Sequence, residues 1–274
     1  GVGKQILNNL SENNFEQPWF YYLHLMDLHG TETSFLSQPP DEFSNIKFGS
    51  NRYEQMISAL DVWIGKILEK INLENTLIIF ASDNGGAGYI GLDDINKPYR
   101  GWKLTHFEGG MHIPFFAKWP AKIKKDMKYN KRIHHTDIFS TILGAANIEP
   151  PKEITIDGVN LIPFLTNEKR GEPHETLYWK NVTYQAIIHD NWKLMRSKYP
   201  KEKEYLYNLE KDPYEQNNLA LSEPEIKILL HEKLNTHIES MPEPSWPQSV
   251  FMPVVIDKPQ TEYKEGDELI YWPN

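Results

Sequence analysis

The sequence predicts an α/β protein, in which a mostly parallel sheet flanked by helices precedes a small antiparallel α+β subdomain. Residues 18–26 are rich in aromatics and residues 76–81 are apolar, as is typical of buried strands, and a helical repeat lies between them. Strand, helix and strand in this order form a βαβ unit, whose right-handed crossover makes the strands parallel. After about residue 170 a hairpin turn and short strands replace this alternation.

The first half of the chain supplies the βαβ unit. Residues 4–10 predict the end of a helix, and a loop containing Pro and Ser occupies residues 30–50, after the aromatic strand. Apolar residues then recur at helical spacing over residues 53–71, which predicts a long amphipathic helix. The second strand follows directly. The crossover therefore brings the carboxyl ends of both strands to one edge of the sheet.

The second half begins with another helix, for which Thr136 is a good N-cap and which Asn147 ends. The later elements are short; in chain order they are a hairpin turn at His189-Asp190-Asn191, a strand at 205–209, a helix at 226–238 and a Pro-rich, extended tail from Met241. We therefore predict two units, an α/β part at residues 1–170 and a small subdomain with its tail at residues 171–274.

The amino-acid composition limits the classes of protein to which this chain can belong. The chain of 274 residues is 39% hydrophobic, enough for a sizeable core, and it has no run of about 18 apolar residues that would predict a membrane span. The net charge of −9 argues against nucleic acid as a partner. Because there is no cysteine, disulfides, thiolate metal sites and cysteine nucleophiles are excluded within the chain. Its first residues, Gly1-Val2-Gly3-Lys4, lack Met and do not resemble a signal peptide, which suggests a fragment, a processed chain or an expressed portion.

Oxygen-bearing side chains follow the second strand, at the edge where open α/β sheets bind ligands. Asp83 and Asn84 come directly after it, and Gly85 and Gly86 allow close approach of backbone. One interpretation is an ordinary turn, since Asp, Asn and Gly are turn residues. The other is a pair of ligands for a hard divalent cation, which requires further oxygen ligands from elsewhere.

Other candidates lie near the same edge. Asp27 and His29 end the first strand, and His29 is either a structural residue or a functional one. Lys103 lies in an apolar segment and could offer a fixed cation to an anionic substrate. Glu108-Gly109-Gly110 predicts a tight turn in which Glu108 braces backbone amides. The lysine-rich stretch 118–132 is interpreted as a solvated loop, with an anion-binding rim as the alternative.

Several short motifs together resemble the formylglycine-dependent sulfatase family. Residues 23–29 resemble the segment with the family's sulfate-binding histidine, residues 76–86 its strand ending in Ser-Asp-Asn-Gly, and residues 98–114 its conserved-lysine loop. Further matches keep the family's order along nearly the whole chain, at residues 135–139, 156–158, 206–209, 212–213, 215 and 218–220.

The resemblance implies an alkaline-phosphatase-like α/β fold with a smaller C-terminal subdomain, and hydrolysis of sulfate esters, on a sulfated carbohydrate, at a calcium (Ca2+) site. It makes Asp83 and Asn84 metal ligands, His29 a sulfate-binding and leaving-group residue, and Lys103 a second sulfate-binding cation. His29 and Lys103 would thus be both catalytic and substrate-binding. A metal ion, a Lys and a His can stabilise the charge that builds on a departing sulfate. The family is usually exported, which implies a periplasmic or secreted protein.

Departures from the family pattern concern its N-terminal half. The formylglycine nucleophile arises from Cys or Ser in a Cys/Ser-x-Pro/Ala-Ser-Arg motif, which this chain lacks, as it lacks the paired aspartates of the metal site. The chain is therefore identified as the C-terminal part of a sulfatase, inactive alone, with the missing N-terminal part as a partner. His112 also replaces the arginine usual after Glu-Gly-Gly-x.

Three functions remain open at this point. The leading one is the C-terminal part of a sulfatase. The second is a phosphodiesterase or phosphonate hydrolase of the same superfamily, which the identity of the missing nucleophile would distinguish. The third is a non-catalytic remnant that binds a sulfated glycan through residues 118–132 and aromatic side chains.

Overall fold

The computed structural model describes residues 2–12, 16–26, 28–29, 52–199 and 201–273. Asp27 and the loop at 30–50 therefore lie outside the described residues. The helices are α1 (Val2–Glu12), α2 (Arg52–Leu68), α3 (Glu108–Met111), α4 (Thr136–Ala146), α5 (Ile162–Leu165) and α6 (Pro224–Ser240), with 3-10 turns at Leu73–Asn75, Gly88–Ile90 and Gln260–Glu262. The strands are β1 (Ile78–Ala81), β2 (Phe115–Lys118), β3 (Thr176–Lys180), β4 (Tyr184–His189), β5 (Trp192–Ser197), β6 (Lys203–Asn208), β7 (Phe251–Val255) and β8 (Leu269–Pro273).

Helices α1 and α2 pack against each other through their apolar stripes. Ile6 and Leu10 of α1 are buried against Ile67 of α2, and Leu23 and Leu25 pack on the same cluster. The long helix predicted over residues 53–71 is confirmed, although it ends at Leu68. Glu54 in its first turn and Lys66 in its last turn match the polarity of the helix dipole.

The predicted strand at residues 18–26 and its parallel pairing with residues 76–81 are not formed within the described part of the chain. Residues 18–26 have no ladder partner there, and β1 pairs with β2 in the antiparallel sense. A run of aromatic and apolar residues is typical of a buried strand but does not specify the edge with which the strand pairs. Leu23 and Leu25 are instead partly buried and pack against α1 and α2.

The β1–β2 ladder places Ala81 opposite Phe115 and Ile78 opposite Lys118. Lys118 therefore lies at the end of the ladder away from Asp83. On one face, Phe115 and Ala117 pack into a core built around Leu161 and its neighbours. The short pair thus presents its Asp83 end as one wall of the candidate site.

The C-terminal strands β3 to β6 form an antiparallel meander in which each strand pairs with the next in sequence. The predicted hairpin is confirmed, because His189 pairs with Trp192 across a turn in which Asp190 has a φ of 50°. Alternate side chains fill two cores, as the period-two geometry of strands requires. Ile187 packs towards α6, and Ala186 packs towards β7 and β8.

Two further predictions are adjusted by the structure. Helix α4 starts at Thr136 itself, and His135 occupies the N-cap position; Asn147 ends it in the left-handed conformation, with a φ of 54°. The tail after Met241 is extended as predicted, but it forms the two-stranded ladder of β7 and β8, whose Val254 and Ile270 are buried in the core. No helix in the described ranges is both long enough and apolar enough to cross a membrane.

Candidate active site

The candidate site begins where β1 ends, in the Asp83 loop (residues 82–86). Asp83 is exposed and Asn84 is partly buried. The backbone N–H of Asn84 donates to Asp83 Oδ1 at 3.0 Å, and Asn84 Nδ2 donates to the carbonyl of Gly85 at 2.9 Å. Since Nδ2 is used in this bond, the amide is oriented with Oδ1 as its free acceptor end. The loop therefore offers one carboxylate and one amide oxygen to a ligand.

The glycines of this loop allow two backbone segments to touch. The N–H of Gly85 donates to the carbonyl of Gly110 at 3.0 Å. A Cβ added to Gly85 would overlap the carbonyl oxygen of Gly109. Glycine is required at Gly85 because any side chain would push the Asp83 loop away from α3.

Lys103 is held beside the Asp83 loop by its backbone. Its N–H donates to the carbonyl of Gly86 at 3.0 Å. Thr105 Oγ1 donates to the carbonyl of Trp102 at 2.8 Å, which fixes the turn that carries Lys103, and Trp102 is buried. The Lys103 loop (residues 99–107) is thus attached directly to the loop that carries Asp83 and Asn84.

Asp83, Asn84 and Lys103 line one open cleft of about 1450 Å³ that continues along β2. His29 is exposed, its N–H donates to the carbonyl of Met26 at 3.0 Å, and it is not among the residues that line this cleft. The structure therefore brings together three of the four residues predicted for the site. The role of His29 stays a prediction.

The donor set is consistent with part of a calcium site. Calcium prefers carboxylate and amide oxygens and takes six or more ligands. Asp83 and Asn84 supply two oxygens of the right type, and the described residues contain no group of three or more His, Cys, Asp or Glu side chains arranged to hold a metal. The oxygens of Asp83 and Asn84 are thus of the type that calcium binds, but two ligands are fewer than a calcium ion takes.

His135 contacts the backbone at the same strand end. Its Nε2 lies 2.9 Å from the carbonyl oxygen of Ser82, so Nε2 carries the proton and donates. His135 also lines the cleft. In the sequence His135 precedes a helix and begins one of the family matches, at residues 135–139, but neither observation predicted a contact across 53 positions.

Asp137 anchors the start of α4. Its fully buried carboxylate accepts hydrogen bonds from the N–H of His134 at 2.7 Å, from the N–H of Val159 at 2.8 Å and from His174 Nε2 at 2.8 Å. Burial raises the pKa of Asp137, but the bonds from His174, Val159 and His134 outweigh burial and lower the pKa below its ordinary value.

We expect Asp137→Asn to destabilise the chain by about 1–3 kcal/mol, because an amide cannot accept all of these bonds. Since the folded-state pKa of Asp137 lies below the unfolded value of about 3.9, its stabilisation is present above that value and declines as pH falls through the folded-state pKa. Urea unfolding at pH 7 and at lower pH measures both effects. An unchanged difference in the free energy of unfolding between wild type and Asp137→Asn down to pH 2 would contradict this assignment.

Glu108, Lys193 and Glu215 form a buried ionic triad that joins α3 to the C-terminal meander. Lys193 Nζ lies 2.8 Å from Glu108 Oε1 and 2.8 Å from Glu215 Oε1, and both Lys193 and Glu215 are fully buried. The N–H of Glu108 also donates to Glu215 Oε2 at 2.6 Å. The prediction of a tight turn in which Glu108 braces backbone amides is therefore wrong: residues Glu108–Met111 form α3, the Glu108 carboxylate pairs with Lys193, and Glu215 accepts from the backbone instead.

Within the triad, the pKa of Glu108 is lowered and the pKa of Glu215 is raised. Burial raises the pKa of Glu108, but Lys193 and His112 lower it to about 2. Burial raises the pKa of Glu215, and this outweighs the attraction of Lys193. Burial lowers the pKa of Lys193, and the two carboxylates more than compensate, so Lys193 stays charged.

Arg100 forms a second link between the Lys103 loop and the C-terminal residues. Its guanidinium binds Asp257 at 2.6 and 3.0 Å and Glu268 at 3.1 Å. The same group donates to the hydroxyl of Tyr207 at 2.9 Å. Because a guanidinium provides several donors in a fixed plane, one residue can hold three partners at once.

His106 also lines the cleft, but it is not a source of positive charge there. Its ring stacks on Tyr184 with a centroid separation of 4.7 Å, and its Nδ1 is buried without a hydrogen-bond partner. Burial and the charge of Lys193 lower the pKa of His106 to about 3. His106 is therefore neutral near pH 7, and Lys103 is the stronger candidate for binding an anion.

Cations of the lysine-rich stretch have structural partners. Lys131 pairs with Glu172 at 2.8 Å, and Arg132 donates to the carbonyl of Asp190 at 2.7 Å. Lys122 lies over the ring of Trp119 at 4.5 Å. Cations of this stretch, Lys124 and Lys125 among them, also line the cleft, so the solvated loop and the anion-binding rim both stay predictions.

Comparisons with known proteins agree with the motifs. Residues 2–148 match the Sulfatase family model, and residues 102–242 match the model described as N-sulphoglucosamine sulphohydrolase, C-terminal. The chain is 33% identical over 169 residues to the uncharacterized sulfatase YdeN of Escherichia coli. The aligned region covers 60% of this chain and 30% of that protein. The chain is 28% identical over 249 residues to an N-acetylgalactosamine-6-O-sulfatase of Bacteroides thetaiotaomicron, covering 81% of this chain and 47% of that protein.

A solved structure from Bacteroides thetaiotaomicron, described in a study of the metabolism of multiple glycosaminoglycans, has the same fold. It superposes with a TM-score of 0.67 at 26% identity, over 86% of this chain and 52% of that one. The chain thus spans about half, or less, of the length of these relatives. Because the Sulfatase family model matches more than half of the residues of this chain, the chain belongs to the sulfatase family. It has the alkaline-phosphatase-like α/β fold of that family.

Proposed function

We propose that this chain is the C-terminal part of a calcium-dependent sulfatase that hydrolyses sulfate esters on a sulfated carbohydrate. The observation that carries this proposal is the placement of Asp83, Asn84 and Lys103 on one cleft at the carboxyl end of β1. Membership of the sulfatase family supports the reaction class, and the carbohydrate substrate is suggested by the name of the Bacteroides relative.

Each candidate residue has a physical role in this proposal. Lys103 binds a sulfate oxygen and stabilises the negative charge that grows on the sulfate as the ester bond breaks. His29 binds the sulfate and gives a proton to the departing alkoxide. Asp83 and Asn84 would hold the calcium ion, which supplies positive charge to polarise the sulfate oxygens.

The attacking group is proposed to come from the other part of the enzyme. The chain has no cysteine and no Ser-x-Pro/Ala-Ser-Arg motif from which a formylglycine could form. Two oxygen ligands are also too few for calcium. We therefore propose that a partner segment supplies the nucleophile and the remaining ligands, and that this chain alone does not turn over substrate.

Three further proposals follow from the same assignment. Residues 1–170 would belong to the sulfatase α/β domain, and residues 171–274 would form the small C-terminal subdomain with its tail. The enzyme would act in the periplasm or outside the cell, where sulfated polysaccharides are encountered. Sugar units carrying an O-6 sulfate are the first substrates to test, given the name of the Bacteroides relative.

A complementation experiment tests the proposed function. The chain would be co-expressed with the N-terminal portion of the Bacteroides relative, and release of sulfate from 6-sulfated N-acetylgalactosamine and from 4-nitrophenyl sulfate would be measured. We expect no release by the chain alone, release by the pair, and loss of release on chelation with recovery on adding calcium.

A control replaces the formylglycine precursor of the N-terminal portion by Ala, which should abolish release. Sulfate release by the isolated chain, or full activity of the pair after chelation, would overturn the proposal. Preferential hydrolysis of phosphonate or phosphate esters by the pair would instead favour the phosphoryl-transfer alternative.

A further inference from the structure

Asn96 joins the two loops that carry the candidate site. Its Oδ1 accepts from the N–H of Gly86 at 2.7 Å, and its Nδ2 donates to the carbonyl of Gly86 at 2.8 Å and to the carbonyl of Gly101 at 3.1 Å. Gly86 lies two residues after Asn84, and Gly101 lies two residues before Lys103. One side chain thus bonds both loops.

The chemistry of the contact requires a carboxamide of this length. An acceptor and two donors on the same carbon satisfy one N–H and two carbonyls, which neither a carboxylate nor an alkyl group can do. The fit is close, because a Cβ added to Gly86 would approach Asn96 Oδ1 to 2.9 Å and Ile95 to 2.7 Å. The partly buried bonds limit the movement of Gly86 relative to Gly101.

We propose that Asn96 is a positioning residue that sets the spacing between the oxygens of Asp83 and Asn84 and the ammonium group of Lys103. A single sulfate group can meet a calcium ion and Lys103 together only if this spacing is held. The backbone bond from Lys103 to Gly86 acts in parallel, and Asn96 fixes the carbonyl that accepts it. This inference rests on the proposed function.

The experiment compares the wild-type chain with Asn96→Ala and with a matched control, Asn218→Ala. Asn218 also makes three bonds to backbone: its Oδ1 accepts from the N–H groups of Leu206 and Ala220 at 3.0 Å each, and its Nδ2 donates to the carbonyl of Glu204 at 2.9 Å. It lies in the connection between β6 and α6, where it bonds to the backbone of β6, rather than in the site loops. The control variant therefore loses a comparable set of hydrogen bonds to backbone and leaves the loops of the site unchanged.

The first readout is amide hydrogen exchange followed by NMR. In Asn96→Ala we expect the amides of Gly86 and Lys103 to exchange about tenfold faster or more, the equivalent of losing one hydrogen bond. In Asn218→Ala these amides should keep the wild-type rate. Equal rates at Gly86 and Lys103 in all three proteins would overturn the inference.

The second readout uses each variant co-expressed with the N-terminal portion of the Bacteroides relative, because that portion is proposed to supply the remaining calcium ligands. It is the response of the Lys103 ammonium resonance to sodium sulfate, with and without calcium chloride. In the wild type and in Asn218→Ala, calcium should lower the sulfate concentration needed for the shift, whereas Asn96→Ala should lose this calcium effect. Asn96→Asp keeps the acceptor for Gly86 and loses both donors, so this variant should lose the calcium effect too. It replaces Asn96→Ala in the experiment if the alanine variant does not fold. A retained calcium effect in the Asn96 variants overturns the positioning role alone, whereas a wild-type pair that responds to neither ion overturns the proposed site and the positioning role with it.

Discussion

Lys193→Met is expected to lower the free energy of unfolding by about 3–5 kcal/mol, because it leaves two buried carboxyl groups without their cation. Lys193 Nζ contacts Glu108 and Glu215 at 2.8 Å each, and its side chain is fully buried. Methionine fills a similar volume, so the loss measures charge rather than a cavity. Urea unfolding followed by tryptophan fluorescence gives the difference.

Two controls separate the triad from a general effect of removing lysine. Lys97 pairs with Asp93 at the surface, where its side chain is 63% exposed, so Lys97→Met should cost less than about 1 kcal/mol. The triple variant Glu108→Gln, Lys193→Met, Glu215→Gln should recover part of the loss, because no charge is then left buried. A loss for Lys193→Met no larger than that of Lys97→Met would show that the triad does not stabilise the fold.

Lys103→Ala is expected to lower kcat/KM of the complemented enzyme by about 10²–10³, the size typical of removing one preorganised group that stabilises charge in a transition state. The physical reason is that Lys103 is attached through Gly86 to the loop of Asp83 and Asn84, so its charge faces the same ligand. Steady-state kinetics with 4-nitrophenyl sulfate measures the change.

Lys125→Ala provides the matched control for Lys103→Ala. Lys125 lines the same cleft but lies in the lysine-rich stretch, away from the Asp83 loop. Its loss should change kcat/KM less than about threefold and mainly at low salt, as expected for long-range attraction of an anion. Similar losses in both variants would mean that Lys103 contributes only to the general field of the cleft.

The sequence predicted best what depends on neighbours along the chain. The hairpin around Asp190 and helix α6 were predicted from turn residues and apolar spacing, which are local signals. The convergence of Asp83, Asn84 and Lys103 was predicted from a strand end and a family pattern, and these residues do share a cleft. Their chemical roles stay proposals.

The sequence predicted less well what depends on distant partners. Residues 18–26 form the aromatic and apolar run typical of a buried strand, yet such a run does not specify a pairing partner, and Leu23 and Leu25 pack on helices instead. Lys193 lies in a strand pattern, and nothing in that pattern predicts that its Nζ contacts Glu108, 85 positions before it. Asn96 gave no signal either, because a carboxamide that bonds backbone is indistinguishable in sequence from one that faces water.

The meander of β3 to β6 has a consequence for the order of folding. Each of its strands pairs with the next in sequence, so its contacts are local and close only short loops. The Asp83 loop, in contrast, depends on contacts with residues far along the chain, through Gly110 and, by way of α3, Lys193. We expect the C-terminal strands to form early and to serve as a template on which α3 docks, so that the site is among the last regions to become ordered.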